Sequence, residues 1–132
     1  MTKRERREHL FLMLFRKEFY QDGELPEQIQ LYLQDTQGVS APKKEALEKR
    51  MEAIFEKIPE IDEIIEEKAE GWKLKRFAKA DLTIIRLALY EILFDEEIPT
   101  GISINEAVEL GRKFGGEKSP AFINGVLAKC TR

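Results

Sequence analysis

Apolar residues recur at steps of three and four along nearly the whole chain, the period of an α-helix, and no run alternates long enough to make a strand. Thr2 and Glu5 have the spacing of a capping box, and Leu10, Phe11, Leu14 and Phe15 then form a stripe that ends near Asp22-Gly23. Pro26 can open a second, short helix through Ile29, Tyr32 and Leu33, and the stretch 36–41, with Gly38, reads as a loop. A third helix begins at Pro42 and carries Leu47, Met51, Ile54, Phe55 and Ile58. Pro59 is expected to end it, because the residue before a proline avoids the helical region. A fourth helix places Ile61, Ile64, Ile65 and Ala69 on one side and fades at Gly71.

The segment 81–94, DLTIIRLALYEILF, is apolar on almost every face, which marks a central helix buried all round. Arg86 and Glu91 stand out within it, since buried charges need partners; Asp81 and Glu106 are the candidates for Arg86. Ser103 and Glu106 form a second capping box ahead of Ala107, Val108 and Leu110, a helix stopped by Gly115-Gly116. Ser119 as N-cap and Pro120 start a last helix with Phe122, Ile123, Val126 and Leu127. The expectation is an all-α fold of about seven helices in two packed sub-bundles, about 1–70 and 71–132, forming one domain over 1–132.

Composition narrows the function. A chain of 132 residues with 42% hydrophobic residues is of single-domain size and can bury a core. One cysteine, Cys130, and one histidine, His9, exclude an internal disulfide and disfavour a His-based metal site or triad. Glu106 and Glu109 are a carboxylate pair without a nucleophile, metal set or phosphate loop beside them, so neither an enzyme nor a bound cofactor is expected. The longest apolar stretch is too short for a membrane span and the N-terminus lacks a signal core, so the expected location is cytoplasmic. Net charge is −3, yet basic segments at 1–20, 71–86 and 111–132 alternate with acidic ones at 21–70 and 87–110. Phosphate responds to local potential, so a fold that gathers the basic segments can bind nucleic acid while the acidic ones meet a basic protein. Solvated helix faces would give the same blocks.

The strings Trp72 to Arg76 (WKLKR), Asp81 to Glu91 (DLTIIRLALYE), Ile104 to Leu110 (INEAVEL) and Phe122 to Leu127 (FINGVL) resemble, in order, the NusB family of bacterial transcription antitermination factors, as does an Arg-rich first helix with Arg4, Arg6 and Arg7. The resemblance implies an all-α RNA-binding protein that binds boxA-type single-stranded leader RNA together with NusE, a small-subunit ribosomal protein, and acts on the RNA polymerase complex. Some members form homodimers. Lys3, Arg4 and Arg7 follow helical steps that can line one face toward phosphates, with Arg6 somewhat aside. Lys113, Lys118, Phe122 and Asn124 combine cations, a ring and an amide in the manner of RNA sites. Phe122 fits core as well as stacking, Trp72 reads as a packing anchor or a stacking ring, and Phe114 reads as core. The competing reading is a helical protein-interaction or homodimeric module with no RNA role.

Overall fold

The computed structural model describes residues 1–69 and 71–131; Glu70, at the expected sub-bundle boundary, and Arg132 lie outside the described residues. Among the described residues the chain forms six α-helices and no strand: α1 (Lys3–Phe15), α2 (Leu25–Asp35), α3 (Ala41–Lys68), α4 (Lys79–Phe94), α5 (Thr100–Phe114) and α6 (Ser119–Cys130). Short 3₁₀ turns at Arg16–Glu18, Asp22–Glu24 and Leu74–Arg76 connect them. The count is one below the expected seven because α3 runs through Pro59. A proline inside a helix removes one i→i−4 hydrogen bond and crowds the preceding turn, at a cost of about 3 kcal/mol. Here the three- and four-residue spacing of Met51, Ile54, Ile58, Ile61 and Ile65 continues across it, and all five side chains are buried. Burying one such side chain contributes roughly 1.5–3 kcal/mol, so the apolar stripe outweighs the local penalty.

Two compact units divide the chain, Met1–Phe55 and Glu56–Arg132. Within the second unit the later part of α3 is tied to α4: Asp62 of α3 accepts two hydrogen bonds from Arg86 of α4. In the first unit the core is built from Leu10, Phe11 and Leu14 of α1, Ile29 and Leu33 of α2, and Leu47 and Met51 of α3. Gly38, at φ +78°, turns the loop between α2 and α3. In the second unit α4 is buried at every position from Asp81 to Glu91, with α5 and α6 packed against it and each other.

Three polar contacts revise the expected capping and pairing. Arg86 pairs with Asp62 through Nε–Oδ1 at 2.8 Å and Nη2–Oδ2 at 3.0 Å, a bidentate fork in place of the expected Asp81 or Glu106. Ser103 does not cap α5, which starts at Thr100 with Pro99 as its N-cap; its hydroxyl donates to Glu91 Oε1 at 3.0 Å in the core. A buried carboxylate needs a donor, and that need places Ser103 inside the helix. Ser119 likewise is the first residue of α6, after the N-cap Lys118, and its Oγ accepts from the Gly116 amide at 2.9 Å.

Candidate nucleic-acid interface

Each unit carries part of the expected RNA-binding set. In the first, a capping box fixes the opening turn of α1: the Glu5 amide donates to Thr2 Oγ1 at 3.0 Å and the Thr2 amide donates to Glu5 Oε1 at 3.3 Å. The Thr2 backbone amide, and after it the Thr2 side chain, hold the Glu5 carboxyl below its ordinary pKa. Lys3 and Arg4 follow on this fixed turn and are exposed. Arg7 is not: it is 8% exposed, on the same stripe as Leu10, Phe11 and Leu14. Spacing puts Lys3 and Arg7 on one face as expected, but from Arg7 onward that face is the core face. Steps of three, four and seven from Arg7 reach Leu10, Phe11 and Leu14, a signal already present in the sequence. Arg6, set aside by spacing, is half-buried beside Lys3 in a surface cleft.

His9 is half-buried and joins α1 to α2 through a 2.6 Å hydrogen bond between Nδ1 and the Tyr32 hydroxyl. The Arg16 guanidinium lies 4.7 Å from the centre of the Tyr32 ring. Burial raises the Tyr32 pKa, against smaller lowering by Thr36 and Arg16.

In the second unit, Lys118 precedes α6 and Phe122 stands one turn in, its amide bonded to the Lys118 carbonyl at 3.1 Å. Phe122 is half-buried and meets Trp72 edge-on at 5.2 Å between ring centres, and Phe77 at 5.5 Å. Trp72 remains 45% exposed. The three rings form an aromatic step of which Phe77 supplies the buried part; by sequence alone Phe77 was not a candidate. Lys73, Lys75 and Arg76, on the turn between Trp72 and Phe77, are exposed cations beside it. Lys113 is exposed and its ammonium lies 5.5 Å from the half-buried Phe114 ring. Asn124 is exposed but sits two residues from Phe122, about 200° around the helix, so α6 does not bring the amide and the ring together.

The acidic segments separate into surface and core. Glu60, Glu63, Glu66 and Glu67 on α3 and Glu96 and Glu97 after α4 are exposed, whereas Glu91 is 4% exposed and bonded to Ser103. Among the described residues no three His, Cys, Asp or Glu side chains gather to hold a metal ion, and no helix is long and apolar enough to cross a membrane.

Residues 4–132 match the model of the NusB family. A transcription antitermination protein NusB from Lachnoclostridium phytofermentans is 50% identical over 129 residues, covering 98% of each chain, and one from Agathobacter rectalis is 49% identical over the same length and coverage. Among solved structures, T. maritima NusB superposes with a TM-score of 0.85 at 32% identity, over 98% of this chain and 90% of that one. A chain in a crystal structure of antitermination factors NusB and NusE in complex with double-stranded RNA gives a TM-score of 0.78 at 25% identity, over 98% of this chain and 97% of that one.

Proposed function

The chain belongs to the NusB family, and on that premise we propose that it is a transcription antitermination factor that binds boxA-type leader RNA with NusE and acts with RNA polymerase in the cytoplasm. The observation that carries this reading is near-full-length likeness at 50% identity to a transcription antitermination protein NusB. The function is binding, not a reaction.

The exposed cations Lys3 and Arg4 in the first unit, and Lys113 and Lys118 in the second, contact RNA phosphates. Phe122, with Trp72 beside it, offers base-stacking surface, worth about 1–3 kcal/mol per base. Asn124 is an exposed amide for a base edge or a ribose hydroxyl. Arg7, buried on the same stripe of the first helix as Leu10, Phe11 and Leu14, supports that helix rather than presenting its charge to RNA. The exposed acids Glu60, Glu63, Glu66 and Glu67 steer a basic ribosomal protein toward α3.

A pull-down with NusE and labelled oligonucleotides tests the reading. A boxA single strand is expected to be retained and a scrambled strand lost, with a boxA duplex as a third arm, because the related complex holds double-stranded RNA. Equal retention of the boxA and scrambled strands would reduce the function to nonspecific binding. A homodimer in native mass spectrometry that takes up neither RNA nor NusE would favour the protein-interaction module instead.

A further inference from the structure

The faces that α2 and α3 turn toward each other are not filled along their whole length. A cavity of about 400 Å³ opens between the start of α2 and the stretch Glu48–Phe55 of α3, all of it within the first unit. Leu25 and Ile29 of α2 and Met51 of α3, none more than 5% exposed, form its floor. Pro26 and the half-buried Phe55 ring form its walls. Leu25 with Ile29, and Met51 with Phe55, lie four residues apart, so one apolar stripe from each helix lines the groove.

The polar lining is of the opposite character. The Gln30 side-chain amide donates to Glu48 Oε1 at 2.7 Å, and Lys17 Nζ meets Asp22 Oδ1 at 3.0 Å. The short connection 36–40 folds α3 back along α2, which sets these two bridges at opposite ends of the groove. Glu52, exposed between them, makes no ion pair among the described residues. The lining therefore carries three carboxylates against one ammonium, and that ammonium is engaged by Asp22. Gln30 is neutral, so nothing in the groove offsets the charges of Glu48 and Glu52.

An occupant has to meet both halves, with an apolar body for the floor and positive charge for the rim. A bare metal ion leaves the apolar floor uncovered, and a neutral apolar molecule buries carboxylates without compensation. A peptide chain has to enter and leave, and the bridges close the groove at both ends, which favours a compact ligand. From Glu48 to Phe55, α3 rises about 10 Å, the reach of a short alkyl chain with a charged group at each end.

We propose that this groove binds an aliphatic diamine. One ammonium group lies between Glu48 and Glu52, one turn apart on α3, and the methylenes cover Met51, Ile29 and Pro26. The second ammonium reaches Asp22. That carboxylate is 82% exposed, and an exposed ion pair is weakly held, so the ligand readily takes the place of Lys17. The site stands apart from the RNA-binding role, since its charges are opposite in sign to those assigned to phosphate.

NMR of methyl groups, with putrescine as the probe at constant ionic strength, tests the proposal against magnesium chloride and butylamine. Putrescine is expected to shift the Leu25, Ile29 and Met51 methyl resonances saturably and to raise Tm with its concentration, as a ligand of the native state does. Magnesium is expected to leave those methyls unmoved, and butylamine to bind more weakly. Glu52→Gln removes one exposed charge and is expected to weaken putrescine binding up to about fivefold, with unchanged circular dichroism. Glu45→Gln, on the same helix but paired with Lys49 outside the groove, is expected to change nothing. Methyls that ignore putrescine, or answer magnesium equally, overturn the proposal. Equal affinity for butylamine overturns it too, because the second ammonium then contributes nothing. If the same methyls shift with protein concentration, or with the peptide acetyl-Arg-Trp-Arg-amide, but not with putrescine, the groove takes a second copy or a basic peptide and the diamine site fails.

Discussion

At the scale of single residues, position along a helix decides whether a charge meets solvent or core. Arg6 and Arg7 are neighbours of identical chemistry, yet one lines a cleft and the other is 8% exposed. The apolar pattern downstream contained the answer, because Arg7 lies in line with Leu10 and Leu14; reading the basic residues as a set, apart from that pattern, hides it. Arg86 shows the opposite case. Its burial was legible in DLTIIRLALYE, but its partner was not, since Asp62 is twenty-four residues away and only tertiary packing brings the two together. Arg86 is buried and Asp62 half-buried, so removing the carboxylate strands the buried guanidinium, and Asp62→Ala is expected to lose about 3 kcal/mol in urea unfolding. The apolar pair Arg86→Met with Asp62→Leu is expected to recover most of that loss. A single substitution as mild as a surface change would mean that the fork contributes little. Cys130 gives a chemical test of the core. Burial raises its thiol pKa, with Lys68 opposing only in part, so less thiolate is present near neutral pH than for an ordinary cysteine. Iodoacetamide is expected to modify it slowly in the native protein and quickly in urea; equal rates would place the thiol at the surface.

At the scale of elements, helix positions were legible, and so were the Thr2–Glu5 capping box of α1 and the stop of α5 at Gly115, while three other ends were not. Local rules assign Pro59 as a stop, Ser103 as a cap and Ser119 as a cap. In each case another demand prevails: the apolar stripe of α3, the buried Glu91 carboxylate twelve residues from Ser103, and, locally, the Gly116 amide that bonds Ser119. Pro59 is therefore a tolerated penalty, and Pro59→Ala is expected to raise Tm by several degrees. Restoring the helical amide is worth about 3 kcal/mol, and the looser unfolded chain takes back about 1 kcal/mol. A lowered Tm would show that α3 depends on the proline for its path. Gly115 is constrained in the other direction. A Cβ there would fall on the Ser119 side chain and 2.8 Å from the Gly111 carbonyl oxygen, and that backbone oxygen cannot move aside cheaply. Gly115→Ala is expected to cost roughly 2 kcal/mol, as overpacking does, and to loosen the start of α6, where Lys118 and Phe122 stand. Unchanged stability would mean that the turn can widen without disturbing the packing of α5 on α6.

At the scale of the whole molecule, a net charge of −3 coexists with a role in binding a polyanion because phosphate contacts are local. The salt slope for the complete chain is expected at about −3, with about 0.7 for each of the proposed contacts of Lys3, Arg4, Lys113 and Lys118 on a single strand. A slope near zero would leave stacking as the main source of affinity and remove most of the proposed cation contacts. The family and the all-α class were readable because their signals are dense and short-range, as in the INEAVEL and FINGVL strings. Phe77 was not, because its significance lies in meeting Phe122, some forty-five positions later in the chain. The core of the second unit imposes one more condition. From Asp81 to Glu91 no position of α4 faces water, so the helix has no side along which an error can be hidden. Deleting a single residue there would rotate everything beyond it by about 100°, parting Arg86 from Asp62 or Glu91 from Ser103 according to where the cut falls. The chain can lengthen or shorten in its connecting loops; within α4, the number of residues is as binding as their identity.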